Sequence, residues 1–218
     1  MQTIDLRSQF SVVRDQGKRG TCIAFAVTSG HEYLRYGGAG SMLDLSEEAL
    51  YYQCKAIDGN YNPGTSFPSV GQALQTVGQP NEEEWPYNKL CDETLPDYLP
   101  PPAAIDPQIC YQATLTEIQP DLHQIVDCLA QGKPVVIGIS LCASFHMAPA
   151  GRVPMPLTHE TFLGNHALLV VGWEADAQQS EWLIFRNSWG ERWGEAGYGF
   201  IKFEYIKLDG CMAFVVEI

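Results

Sequence analysis

The sequence predicts an α+β fold, with a mainly helical half followed by a mainly β half. Helical patterns concentrate between about residues 21 and 80, whereas short runs rich in β-branched and aromatic residues concentrate between about 133 and 217. With 45% hydrophobic and 11% aromatic residues, the 218-residue chain can bury a substantial core. It fits one domain, or two small lobes that share an interface.

Local signals place four helices and five strands. The first helix begins at Thr21 or Cys22 and runs toward Tyr36, with Thr21 as a candidate N-cap. The second begins near Ser46, which is followed by two glutamates that the helix dipole favours in a first turn. Two more helices cover about residues 70–77 and 122–130. The strands predict a strongly bent antiparallel sheet or barrel and are Val135–Ile139, His166–Trp173, Trp182–Arg186, Tyr198–Phe203 and Met212–Val216.

The charge balance and the absence of several motifs exclude classes of partner. A formal net charge of −13 argues against a nucleic-acid partner, which is bound by clustered cations. No run approaches the ~18 consecutive apolar residues of a membrane span, and the N-terminus lacks the basic start and apolar core of a signal peptide. We therefore expect no membrane partner, and a location in the cytoplasm or delivery into another cell. Neither a C-x-x-C pair nor an H-x-x-x-H spacing occurs, so we expect no metal and no cofactor.

Cys22 differs from the other cysteines of the chain in its surroundings. Most cysteines are small buried hydrophobes, but Cys22 follows a polar loop punctuated by glycines and opens an apolar helix. The dipole at a helix N-terminus supplies roughly half a positive charge, which favours a nucleophilic thiolate. Gln16, in the same loop, offers an amide donor that can stabilise an oxyanion together with the backbone N–H of Cys22.

A thiol nucleophile needs a base, and the base needs a group that fixes its orientation. His166 begins a buried strand, and Asn187 ends another, so neighbouring strands would carry both side chains to the same edge of the sheet. We therefore predict His166 as the base and Asn187 as the group that orients it. The other histidines lie in helical or loop-like segments without such support, namely His31, His123, His146 and His159.

Three segments resemble those of papain-like cysteine peptidases. Gln16-Gly17 and Gly20-Thr21-Cys22-Ile23-Ala24-Phe25 resemble the nucleophile loop, and Asn165-His166-Ala167 resembles the histidine segment. The run that starts at Asn187-Ser188-Trp189-Gly190 resembles the third motif. The separation of Cys22 and His166 falls within the window of about 130–150 residues that is typical of the family. The motifs occur in the family's order and span nearly the whole chain.

The resemblance implies a papain-like two-lobed fold with the active-site cleft between the lobes. One domain, 1–218, would consist of a mainly helical lobe at about 12–113 and a mainly β lobe at about 1–11 and 114–218. Trp189 would shield the hydrogen bond between Asn187 and His166. The resemblance also assigns substrate-binding positions to Gly64, Thr65 and Asn165, with Gly64-Thr65 presenting backbone to a polypeptide in an extended conformation.

The chain departs from the family pattern in its nucleophile loop. Arg19 stands where the family has a half-cystine, so the disulfide that usually staples this loop is absent, and Ile23 replaces an aromatic residue. Cys54 and Cys91 fall where a second family disulfide would lie, although a reducing compartment would leave both as thiols.

The sequence as a whole predicts a cysteine-type endopeptidase that works through a thioester acyl-enzyme. Two alternatives are the same triad performing acyl transfer or deamidation, and a non-catalytic peptide-binding module on the same fold. The family usually carries an inhibitory propeptide, and this chain starts about where the mature enzyme would. We therefore expect another form of restraint, such as a proteinaceous inhibitor or immunity protein that holds an effector or toxin domain in check.

Overall fold

The computed structural model describes residues 3–36, 43–92, 107–208 and 210–218. The chain forms two compact units. One consists of Met1–Asp15 and Glu117–Val215, and the other of Gln16–Thr116 and Val216–Ile218. The first contains most of the sheet, and the second contains the three longest helices. None of the described helices has the length and apolar character needed to cross a membrane.

The helices of the second unit begin at residues that cap them. They are α1 (Cys22–Tyr36), α2 (Glu47–Asp58) and α3 (Phe67–Thr76). The Ser46 hydroxyl accepts the Ala49 N–H at 2.9 Å, and α2 ends at Gly59, whose φ of 66° suits a left-handed C-cap. The third helix begins three residues earlier than its apolar pattern predicts, because the Ser66 hydroxyl caps it and Pro68 is tolerated in its first turn.

The first unit contains α4 (Leu122–Ala130), which has the predicted bounds because the Asp121 carboxylate caps it by accepting the Gln124 N–H at 3.0 Å. Two short helices, α5 (Ala143–His146) and α6 (Phe203–Ile206), follow strands. The strands of the described residues are β1 (Ile4–Asp5), β2 (Thr114–Ile118), β3 (Val135–Cys142), β4 (Arg152–Val153), β5 (Phe162–Ala175), β6 (Glu181–Arg186), β7 (Tyr198–Lys202) and β8 (Met212–Glu217).

The strands form an open sheet in the order β2-β8-β3-β5-β6-β7-β4, with β1 paired to β5. The long strand β5 pairs antiparallel with β3 and β6, whereas the short β4 runs parallel to β7. An irregularity between Val170 and Gly172 shifts the β5–β6 register, and the Val171 carbonyl there accepts the Leu6 N–H at 2.9 Å. Because β2 and β4, at the two ends of this order, do not pair with each other, the sheet does not close into a barrel among the described residues.

The register of β5 and β6 brings the predicted base and its orienting residue together. Leu169 stands opposite Arg186, so Asn187, the first residue after β6, emerges beside the middle of β5, close to His166. His166 pairs with Ile139 on the other side, in the buried part of the sheet. Pairing with β3 and the contact with Asn187 together restrict the movement of a side chain at this position.

Candidate active site

Cys22 is the first residue of α1 and is partly buried. The Thr21 carbonyl accepts the first hydrogen bond of the helix, from the Phe25 N–H at 3.2 Å, so Thr21 occupies the N-cap position. The residues that follow Cys22 are buried and mostly apolar, which ties this end of the helix to the core of its unit. The thiol therefore lies where the N–H groups of a helix end favour a negative charge.

The loop that precedes Cys22 is held by hydrogen bonds at both ends. Tyr87 donates its hydroxyl proton to the Gln16 carbonyl at 2.8 Å, so the Thr21 hydroxyl, also 2.8 Å away, donates to the Tyr87 oxygen. The Gln16 side chain is buried, and its Nε2 donates to the Arg19 carbonyl at 2.7 Å. An amide carries two N–H donors, and the bond to Arg19 fixes the orientation of both.

The imidazole of His166 is oriented by Asn187, with Nε2 at 2.9 Å from Oδ1. The Ser188 backbone N–H donates to the same atom at 2.9 Å, which identifies that atom as the oxygen because an N–H group can only donate. Nε2 of His166 must then carry a proton. In the neutral imidazole the lone pair consequently lies on Nδ1, and Nδ1 is the atom that can accept a proton.

Burial keeps His166 neutral over most of the pH range. Its side chain is buried, and the resulting desolvation lowers the pKa of His166 to about 4. The hydrogen bond to Asn187 acts in the opposite direction, and the charge of nearby His146 lowers the pKa further. A protonated His166 is therefore stable only if a negative charge lies close to it.

Aromatic rings surround the imidazole and limit the access of water. Trp189 lies 5.0 Å from the His166 ring, between centroids, at an interplanar angle of 31°. The buried Phe145 presents its ring at 5.8 Å and 77° to the imidazole, and it stacks on Trp193 at 5.7 Å and 9°. A β-bridge between Trp189 and Asp15 holds the Trp189 segment in place.

The sequence patterns missed two residues of this cluster, Phe145 and His146. The His146 ring stacks on the exposed side of the cluster, 5.0 Å from Trp189 at an interplanar angle of 1°. Both residues belong to α5, which has only four residues and hence no detectable helical period. The one available signal was an aromatic residue shortly after a buried strand.

The predicted substrate-binding residues have different surroundings. Gly64 has a φ of 92°, its N–H donates to the Tyr51 hydroxyl at 3.0 Å, and its carbonyl accepts from the Lys55 ammonium at 2.9 Å. A Cβ on Gly20 would lie 2.4 Å from the Gly64 nitrogen, so the two backbones are in direct contact. Asn165 is exposed and lies next to the buried His166 on β5, so their side chains point to opposite faces of the sheet.

All seven cysteines, each within the described part of the chain, carry thiols rather than disulfides. Cys54 and Cys91 are therefore not bridged. Burial raises the pKa of Cys54 to about 12, with a further contribution from the charge of Asp58, and burial raises the pKa of Cys211 to about 12. Within the described ranges, no group of three His, Cys, Asp or Glu side chains is arranged to hold a metal ion.

The sequence profile of the papain family of cysteine proteases matches residues 1–212 of this chain. The chain belongs to the papain family of cysteine proteases. Xylellain, a cysteine protease from Xylella fastidiosa, has a similar structure, with a TM-score of 0.87 and 28% identity, over 99% of this chain and 85% of xylellain. Bromelain from Ananas comosus, solved in complex with the E64 inhibitor, shares the papain-family fold at a TM-score of 0.73 and 18% identity, over 100% of this chain and 99% of bromelain.

Curated papain-family relatives are similar over most of this chain. A viral cathepsin from Spodoptera litura multicapsid nucleopolyhedrovirus is 29% identical over 85% of the chain and 52% of the relative. Zingipain-2 from Zingiber officinale is 28% identical over 90% of the chain and 85% of the relative. The chain thus spans about half the length of the viral cathepsin.

Proposed function

We propose that this protein is a cysteine-type endopeptidase, with Cys22 as nucleophile, His166 as base and Asn187 as the residue that orients it. The observation that carries this proposal is the tautomer of His166. Asn187 holds the proton on Nε2, which leaves Nδ1 to take the proton of a thiol and later to give it to a leaving group.

The proposed reaction has two halves. The Cys22 thiolate attacks the carbonyl carbon of a peptide bond, and the oxyanion that forms accepts hydrogen bonds from the Gln16 amide and the Cys22 N–H. The C–N bond breaks when His166 donates its Nδ1 proton to the leaving amine, and a thioester remains. Water, deprotonated by His166, then attacks the thioester, and the thiolate leaves. The pKa of about 4 means that the imidazolium forms only beside the thiolate, which stabilises it.

The substrate in this proposal is a polypeptide in an extended conformation that pairs with the backbone near Gly64. The N–H of Gly64 already donates to Tyr51 and its carbonyl already accepts from Lys55. The backbone hydrogen bonds to the substrate would therefore come mainly from Thr65. We also assign Trp189 and Asn165 to substrate binding. The apolar ring of Trp189 suits a side chain of the substrate, and Asn165 would contribute through its backbone, since its side chain points to the face of the sheet opposite His166.

The first experiment measures the reactivity of Cys22 and the cleavage of peptides. We expect iodoacetamide at about pH 5.5 to label Cys22 far faster than the other cysteines, because an unactivated thiol is protonated there. Cleavage of a peptide library should vanish in Cys22→Ala and His166→Ala and persist in His123→Ala, whose ring is exposed. Inhibition by E64, with the mass added on Cys22, would identify the same nucleophile. Equal labelling of all cysteines together with no cleavage would refute the proposal.

The masses of the products separate peptidase action from the alternatives. Hydrolysis of the backbone divides a peptide into two fragments that together contain one added water, whereas deamidation leaves the chain intact and raises its mass by about one unit. Binding without either change would instead support a non-catalytic module.

We propose, as a finer hypothesis, that the protein is an effector or toxin domain restrained by a proteinaceous inhibitor. The chemistry supports this hypothesis, since an active endopeptidase damages the cell that makes it. Expression of the wild type should then be toxic, expression of Cys22→Ala should not, and co-expression of the inhibitor should relieve the toxicity. Equal growth with the wild type and Cys22→Ala would contradict the hypothesis.

A further inference from the structure

Arg19, which stands in place of a half-cystine, forms a buried ion pair. Its guanidinium binds both oxygens of the Glu48 carboxylate, with Nη1 at 2.5 Å from Oε2 and Nη2 at 3.0 Å from Oε1. Each of the two side chains is only 3% exposed. A bidentate pair of this kind fixes both distance and orientation, as a single ammonium contact would not.

The surroundings of the pair satisfy its remaining polar groups. Arg19 Nη1 also donates to the Asn88 carbonyl at 2.9 Å, and the Asn88 N–H donates to Glu48 Oε2 at 3.1 Å. The guanidinium carbon lies over two aromatic rings, 5.5 Å from the centroid of Tyr51 and 5.0 Å from that of Tyr87. The attraction within a buried ion pair can offset the cost of desolvation only when its other hydrogen bonds are completed in this way.

Both tyrosines extend the contacts of Arg19 to the proposed catalytic and substrate-binding residues of this unit. The Tyr87 hydroxyl bonds the two ends of the nucleophile loop, at the Gln16 carbonyl and at Thr21 beside Cys22. The Tyr51 hydroxyl accepts the Gly64 N–H. The carbonyl of Arg19 itself accepts the Gln16 amide. Through its side chain and its carbonyl, Arg19 thus supports the proposed oxyanion donor Gln16, the loop before Cys22 and the segment of Gly64.

We infer that Arg19, paired with Glu48, is a positioning residue that holds the nucleophile loop and Gly64 in register by ionic and aromatic contacts. This inference rests on the proposed function. The ion pair holds the loop in place, as the absent disulfide would in other family members. Because no sulfur atom is involved, the geometry of the loop does not depend on the redox state of its surroundings. Arg19 acts through Gln16, Thr21 and Gly64 and touches no reacting atom.

The test compares four variants with a matched control. Arg19→Lys keeps the positive charge but cannot form the bidentate contact with the carboxylate. Arg19→Met removes the positive charge, and Glu48→Gln removes the negative charge of the acceptor. Arg19→Met/Glu48→Met replaces the pair by apolar groups and keeps the fold testable if a single variant fails to fold. Arg35→Met is the control, because Arg35 lies in the same unit and also combines hydrogen bonds with a ring contact, 5.1 Å from the Tyr111 centroid, far along α1 from Cys22.

The readouts are the rate at which iodoacetamide alkylates Cys22 across a pH series, kcat and KM for a peptide, and the melting temperature. We expect the alkylation rate of Cys22 in Arg19→Lys to fall about tenfold at about pH 5.5, with kcat affected more than KM, because a misplaced reacting group loses rate rather than affinity. The double methionine variant should recover the melting temperature but neither the alkylation rate nor kcat. Arg35→Met should alkylate like the wild type.

Two results would overturn the inference. One is a wild-type alkylation rate in Arg19→Lys, and the other is recovery of both stability and reactivity in the double methionine variant, since the pair would then be a replaceable part of the core. Hydrogen exchange at the amides of residues 16–22 tests the loop even if the protein cleaves nothing. Protection there must fall in Arg19→Lys and not in Arg35→Met, and unchanged protection contradicts the positioning role independently of the peptidase proposal.

Discussion

Asn187 sets the tautomer of His166, because its Oδ1 accepts both the Ser188 N–H and the Nε2–H of the imidazole, each at 2.9 Å. The arrangement has a cost, since the Asn187 Nδ2 group is buried without a hydrogen-bond partner among the described residues. An unsatisfied buried donor costs about 1–3 kcal/mol.

Substitution of Asn187 separates orientation from charge. We expect Asn187→Ala to lower kcat by about 100-fold, because the imidazole loses its fixed orientation. Asn187→Asp retains an acceptor for both N–H groups, so the ring should stay oriented, while the added negative charge raises the pKa of His166. The acid limb of the pH–rate profile should therefore move to higher pH in Asn187→Asp. Equal kcat in the wild type and Asn187→Ala would show that Asn187 does not orient the base.

Gly20 permits the contact between the nucleophile loop and Gly64. A Cβ at position 20 would lie 2.4 Å from the Gly64 nitrogen and 3.0 Å from the Pro63 carbonyl carbon, and neither backbone atom can move alone. We expect Gly20→Ala to displace the loop and to lower kcat/KM by about tenfold or more. Gly71→Ala is the control, since its Cβ would meet the Leu115 side chain at 3.6 Å and lie within α3, where alanine is favoured.

Steady-state kinetics and thermal melting of both glycine variants provide the measurement. Gly71→Ala should melt at the wild-type temperature or slightly above it and retain full activity. An active Gly20→Ala with an unchanged melting temperature would mean that the loop and Gly64 can separate without consequence.

Lys55 organises the segment that leads to Gly64. Its ammonium is buried and has three N–H donors within hydrogen-bond distance of four oxygens: Asp58 Oδ2 at 3.2 Å, Asn60 Oδ1 at 3.3 Å, the Asn62 carbonyl at 2.7 Å and the Gly64 carbonyl at 2.9 Å. We expect Lys55→Met to destabilise the protein by about 3 kcal/mol, because it leaves these acceptors without their cation. KM for a peptide should rise more than kcat falls.

Lys207→Met is the matched control for the lysine substitution, since Lys207 is exposed. Urea titration should show a change in the free energy of unfolding for Lys55→Met and almost none for Lys207→Met. A KM at the wild-type value in Lys55→Met would show that this segment takes no part in substrate binding.

His31 makes stability depend on pH. Burial lowers the pKa of His31 to about 4, and the charge of Arg35 acts in the same direction. Arg35 Nε donates to His31 Nε2 at 2.8 Å, so Nε2 must be unprotonated, and Nδ1 donates to Gln79 Oε1 at 3.0 Å. The folded protein therefore resists protonation at this site, whereas an unfolded histidine takes up a proton near pH 6.5.

Because the unfolded state binds the proton more readily, the contribution of His31 is fully present above about pH 6.5 and is lost as the pH falls toward about 4. The loss is at most about 3 kcal/mol. We expect the free energy of unfolding to fall over this range and the slope to be shallower in His31→Gln. His123→Ala, at an exposed position, should keep the wild-type slope. Parallel slopes for the wild type and His31→Gln would exclude His31 as the source.

Local sequence signals were sufficient for most of the secondary structure. The serine and aspartate caps mark the starts of α2 and α4 because each side chain bonds an N–H only three residues away. Alternating and β-branched runs identified the central part of β5. They missed its first four residues, from Phe162, because these residues are extended through pairing with β3 and lack a composition typical of strands. The helix of Phe145 and His146 was too short to have a period.

The sequence by itself determined the order and the chemical type of the candidate site residues. A cysteine opens a helix behind a glutamine, a histidine lies on a buried strand, and an asparagine follows the end of another. Only the tertiary structure decided which imidazole nitrogen carries the proton, how a loop without a disulfide is held through Arg19, and that the Gly64 N–H is already committed to Tyr51. The reason is physical, since caps and periodicity depend on neighbours within a turn, whereas these hydrogen bonds join residues far apart in the chain and exist only once the core has packed.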